Sequence, residues 1–155
     1  MVEMIWQLKS QLQWLLLAAI ISVALWRGAT PERQVAAVFV FMFVADRAYH
    51  GLFGKGQFLW NADLGHILID GSALFGFVLI ALRANRVYPI CLASLQLMTV
   101  VSHIVRAISP AVAKGAYAIL IYTPSYLEVL VFGLGVVFHL ARARRYGQYR
   151  SWRPS

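Results

Sequence analysis

Three histidines and four carboxylates are the residues of this chain most able to do chemistry, and their spacing sets them along helix faces. Asp46 and His50 are four apart, while Asp63, His66 and Asp70 step by three and four. Residues at such intervals are neighbours on one side of a helix. Gln96, Thr99, His103 and Arg106 step by three, four and three, and Ser125 and Glu128 follow Tyr122 at a spacing of three. Imidazole and carboxylate suit zinc, copper or iron. His50, His66 and His103 with one of Asp46, Asp63, Asp70 or Glu128 therefore make a candidate transition-metal site, the remaining acids orienting the rings from behind. The alternative cofactor is a b-type haem held by His103 with His50 or His66, with a quinone site beside it. Against both stands a structural reading, a buried network in which the acids neutralise Arg47 or Arg106 and bond the histidines. Charges inside a bilayer are usually paired whatever else they do.

Asp46-x-x-x-His50 followed by His66 resembles the metal site in the membrane subunit of copper-dependent methane and ammonia monooxygenases. The likeness covers three residues, differs in the spacing to the last histidine and is matched nowhere else in the chain, so no family is assigned from it. Other chemistries lack their signatures. There is no H-E-x-x-H, no G-x-S-x-G elbow, and GLFGKG lacks the Walker spacing. Proton or ion transfer would need a polar path to both sides, whereas the polar stripe stops near Gln96 and no inverted repeat is apparent.

The elements that must position these residues are membrane helices. The chain has 155 residues, 61% apolar and 13% charged, about half the usual charge of a soluble domain. A span needs about 20 helical residues, and the sequence predicts five, over residues 5–26, 31–50, 64–82, 88–108 and 124–143. Thr30-Pro31 and Thr123-Pro124 each place a capping hydroxyl before a proline at the first helical position. The fifth span is therefore expected to start at Pro124, leaving Ala111 to Tyr122 as a short interfacial segment. The competing reading is one kinked helix from about Tyr117. The N-terminal stretch lacks a basic region and a cleavage pattern and reads as a retained span. Ser72-x-x-x-Gly76 and Gly133-x-Gly135 read as close packing within the bundle. Cys91 has no second cysteine to pair with.

The net charge of +8 does not signal nucleic acid, because the bases sit between apolar runs. They set direction instead. Arg27, Arg33, Arg83, Arg86 and the tail arginines Arg142, Arg144, Arg145, Arg150 and Arg153 fall on one side, which the positive-inside rule makes cytoplasmic. The N-terminus is then outside. The tail over 144–155 is expected to meet anionic lipid through its arginines, with Tyr146, Tyr149 and Trp152 as interfacial anchors. His139 reads as a lone interfacial residue.

The expectation is an all-α, polytopic bundle of one membrane domain in a bacterial inner membrane, with a polar pocket in the outer leaflet. That pocket gathers His50, His66, His103, Asp46, Asp63, Asp70 and Glu128, is lined by Gln96, Thr99, Arg106, Tyr122 and Ser125, and is covered by the glycine-rich connection after His50. An accessory or structural subunit of a larger membrane complex, not itself an enzyme, is the leading functional expectation. A metal- or haem-dependent redox protein or enzyme using the pocket is the alternative.

Overall fold

A computed structural model describes residues 2–53, 64–109, 113–147 and 149–152, with side chains of the first helix described from Gln11 onward. Asp63, Arg153 and residues 54–61 of the glycine-rich segment expected as a lid lie outside the described residues, while its first three residues, 51–53, continue α2.

Among the described residues five helices follow one another: α1 (Val2–Arg27), α2 (Thr30–Phe53), α3 (Leu64–Arg83), α4 (Tyr88–Ile108) and α5 (Lys114–Tyr146). Four of them, α2 to α5, are long and apolar enough to cross a membrane; the apolar part of α1 among the described residues is shorter, Gln11–Arg27. This agrees with an integral membrane protein. Helices suit that setting because each satisfies its own backbone polar groups where no water can.

The starts of α2 and α3 and the bounds of α4 fall close to the expected ones. α5 does not. It begins at Lys114, runs for 33 residues and holds Pro124 in its interior, so residues 114–122 are helix rather than a separate interfacial segment. Proline forfeits one hydrogen bond to the preceding turn. Here the turns on either side are anchored, since Tyr117, Ile121, Glu128 and Val129 are all buried, and the helix carries on through the defect.

Each helix packs on its neighbours in the chain, α5 packs on α1 to close the ring, and α2 touches α5 across it. Phe39 of α2 occupies the centre: its ring stacks on Phe132 of α5 at 5.3 Å and meets Phe77 of α3 at 5.4 Å. Two glycines of α5 let neighbours close in. Gly133 faces Ile20 of α1, and Gly135 carries the ring of Tyr88 from α4. Outward positions such as Leu15, Leu25, Phe75, Leu82, Val137 and Phe138 are exposed and apolar, whereas Glu32, Arg86, Gln96, His103, Arg106, Glu128 and His139 are buried. That inversion is what a lipid solvent selects.

Candidate functional site

At one end of the bundle the C-terminal turns of α2 and α4 meet the N-terminal turns of α3. Asp46 and His50 lie one turn apart on α2, and His66 approaches from α3. Asp46 Oδ1 lies 3.5 Å from His50 Nε2 and 3.4 Å from His66 Nε2. One donor atom from each of the three falls within 4.8 Å of the others, and all three side chains are half-buried. Tyr49 packs its ring against both imidazoles and helps hold them, at 5.6 Å from His50 and 5.7 Å from His66.

These separations are long for hydrogen bonds, whose usual N···O distance is about 2.9 Å. They match something else. Donors bonded to a tetrahedral zinc-like ion at about 2.0–2.1 Å lie roughly 3.3–3.4 Å from one another. Two imidazoles and one carboxylate are also a donor set that open, first-row transition-metal sites use. The residues present therefore fit a metal, with at least one coordination position left for a further ligand.

A second group lies deeper. His103 Nε2 is 2.9 Å from Asp70 Oδ2, and its Nδ1 lies 2.6 Å from the hydroxyl of Tyr117 on α5. Gln96 donates to the Asp70 carboxylate at 3.0 Å and to its backbone carbonyl at 3.3 Å. Both ring nitrogens of His103 are thus engaged. Its bonds tie it into the bundle rather than into the Asp46–His50–His66 group, although its ring lies near that of His66, with centroids 6.3 Å apart. Asp70, His103 and Tyr117 form a hydrogen-bonded group that joins α3, α4 and α5.

The expected stripe on α4 does face inward: Gln96, His103 and Arg106 are buried, and the guanidinium of Arg106 lies over the Tyr117 ring. Thr99 is half-buried and bonds back to the carbonyl of Leu95 at 3.4 Å. Glu128 and Ser125 enter the same region from α5, and Ser125 accepts a 3.0 Å hydrogen bond from Gln13 of α1. Tyr122 is the exception. It is 45% exposed and points away from the pocket, because continuation of α5 turns that position outward. Arg47, considered as a partner for the acids, is exposed and stacks over Phe43 instead.

The opposite end holds a cluster that the sequence reading missed. Glu32 is completely buried and meets Arg86 at 3.2 Å. His139 is also buried rather than interfacial, with Nδ1 2.8 Å from the hydroxyl of Tyr149 and 3.9 Å from Glu32 Oε2. The tail folds back here. Asn85 donates to the carbonyl of Ser151 at 3.0 Å, Arg86 donates to that of Arg150 at 3.4 Å, and Trp152 packs on the core. Tyr149 and Trp152 are therefore tied to the bundle and are not free interfacial anchors. Arg142, Arg144, Arg145 and Arg150 remain exposed. These contacts put the start of α2, the α3–α4 connection and the end of α5 at one end, as the arginine count requires.

The chain matches no known protein family, no curated protein and no solved structure.

Proposed function

We propose that this protein is an integral membrane metal-binding protein that holds one transition-metal ion through Asp46, His50 and His66. The observation that carries the reading is the convergence of two imidazole nitrogens on one carboxylate oxygen at 3.4 and 3.5 Å, spacings that suit coordination better than hydrogen bonding. When bound, the metal would supply Lewis acidity or redox chemistry at its open position. The chain's own contribution is to orient the donors and to keep the surroundings apolar. The reading takes precedence over the accessory-subunit role because lipid accounts for the apolar outward faces, whereas lipid does not account for the converging donors.

The proposal extends to placement: a bacterial inner membrane, with the arginine-rich end of the bundle in the cytoplasm and the metal site toward the outer face. The asymmetry of Lys and Arg supports that direction.

Metal analysis of the full chain, purified in detergent and incubated separately with Zn2+, Fe2+ and Cu+, tests the metal reading. About one equivalent of one ion per chain is expected. Asp46→Ala, His50→Ala and His66→Ala should each lower occupancy to background with the helix content unchanged. No stoichiometric uptake of any of the three ions, or undiminished uptake in the His66 variant, would overturn it.

A further inference from the structure

Between α1, α2, α3 and α5, beside the metal triad and sharing Asp46 and His66 with it, lies a cavity of about 190 Å3. Its polar contributors include Gln13, Ser125 and Glu128, and its ring-bearing walls are Trp14, Phe39 and Phe43. Glu128 is 4% exposed, and its Oε1 has no hydrogen-bond partner among the described residues. Buried polar atoms are nearly always satisfied, so an orphaned carboxyl oxygen lining a cavity calls for a donor from outside the chain. On the same wall the Gln13 amide donates to Ser125, and Glu128 Oε1 receives no hydrogen bond from it.

We propose that this cavity binds a lipid-soluble, ring-sized molecule carrying a hydroxyl group, the class of phenols and hydroquinones, with the hydroxyl donating to Glu128. The size fits: an apolar cavity of about 150 Å3 already accepts benzene. The walls fit too. Trp14 and Phe43 stand edge to face at 5.3 Å, offering a slot of aromatic surface. Both are 42% exposed, whereas Leu17, Phe39 and Val129 behind them are buried. The cavity is thus reached past an aromatic pair on the apolar flank of α1 and α2, the flank that faces lipid in a membrane. A ligand arriving there partitions from hydrocarbon rather than from water.

Charge narrows the class further. Asp46 and Asp70 line the space and repel an anion. Asp70 is bonded by His103 and Asp46 belongs to the metal triad, which leaves Glu128 Oε1 as the acceptor open to a second ligand. A neutral hydroxyl answers the one open acceptor. The inference stands on Glu128 and the cavity walls and does not rest on metal occupancy, although Asp46 and His66 border both sites.

Binding to the full chain in lipid nanodiscs, stripped of metal with a chelator and kept anaerobic, tests the proposal. Trimethylhydroquinone is compared with its dimethyl ether, which has the same ring and no donor. The hydroquinone should bind at least tenfold more tightly. Glu128→Leu removes the acceptor and Val129→Phe fills the cavity, and each should weaken hydroquinone binding at least tenfold. Glu128→Gln keeps a carbonyl acceptor and should stay within about threefold of the parent. Equal binding of hydroquinone and ether by the parent chain, or unchanged binding in both the Leu and the Phe variants, would overturn the proposal. Because metal is absent throughout, failure here leaves the triad untouched, and failure of metal uptake leaves this result untouched.

Discussion

Glu32 on α2 and Arg86 in the α3–α4 connection meet at 3.2 Å across 54 residues of sequence, with side chains 0% and 5% exposed. Neither could be so placed alone. Removing one partner of a buried pair strands the other charge, which costs about 3–5 kcal/mol. Glu32→Ala should therefore lower the thermal unfolding temperature in detergent, followed by circular dichroism. The double variant with Arg86→Ala should lose less than the sum of the two single losses, because no charge is left unmatched. Additive losses would show that the pair is not coupled.

Asp46 and Asp70 separate two roles that look alike in the sequence. Asp70 is bonded by His103 and Gln96, both nearly completely buried. Asp46 is 36% exposed and contacts its two histidines only at long range. Asp70→Ala should destabilise the bundle by about 2–4 kcal/mol through the unsatisfied His103 and Gln96. Asp46→Ala should cost under about 1 kcal/mol while abolishing metal uptake. Chemical unfolding and metal analysis on the same two variants give the comparison. The reverse pattern would assign the metal to Asp70.

The folded-back tail predicts a protease phenotype. Tyr149 lies under the guanidinium of Arg86 at 4.4 Å and bonds His139, and Trp152 packs on the core. Tyr149→Ala combined with Trp152→Ala removes these two side-chain attachments and leaves the hydrogen bonds to the Arg150 and Ser151 carbonyls. Trypsin should then cut after Arg144, Arg145 and Arg150 at least several-fold faster than in the parent, because cleavage requires local release of the chain. Equal rates would mean that the tail is held elsewhere.

Spacing made α4 legible. Gln96, His103 and Arg106 recur at helical intervals within an apolar run, and lipid leaves such a stripe only one direction in which to point. The same logic joined Asp46 to His50. It could not distinguish their roles, because whether an acid meets a histidine at 2.9 or at 3.5 Å depends on how three helices pack and not on sequence interval. Glu32 escaped notice for a different reason. In the first turn of a helix an acid is ordinary, stabilised by the helix dipole, so nothing marks it as buried until Arg86 arrives from 54 residues away. His139 was hidden likewise, its partner Tyr149 lying in a tail whose arginines suggested lipid. Pro124 misled because Thr-Pro signals a helix start equally well when the helix has begun ten residues earlier, and only burial of Tyr117 and Ile121 decides.

Gly133 and Gly135 sit on one helix yet face neighbours of unequal give. A Cβ on Gly135 would come within 2.7 Å of the Tyr88 ring, while one on Gly133 would come within 3.1 Å of the Ile20 Cδ1 methyl. The methyl is the far end of a flexible side chain and can move. The ring cannot easily do so, since Tyr88 lies at the start of α4 and packs against the core. Overpacking of this kind typically costs about 1–3 kcal/mol. Gly135→Ala should therefore fall in that range, and Gly133→Ala should change stability by less than about 1 kcal/mol because the small gain in helix propensity offsets the crowding. Trimming the ring should restore the first variant, so Gly135→Ala with Tyr88→Leu should unfold at a higher temperature than Gly135→Ala alone. If the double variant is weaker still, the close approach of Tyr88 is not what makes glycine necessary at that position.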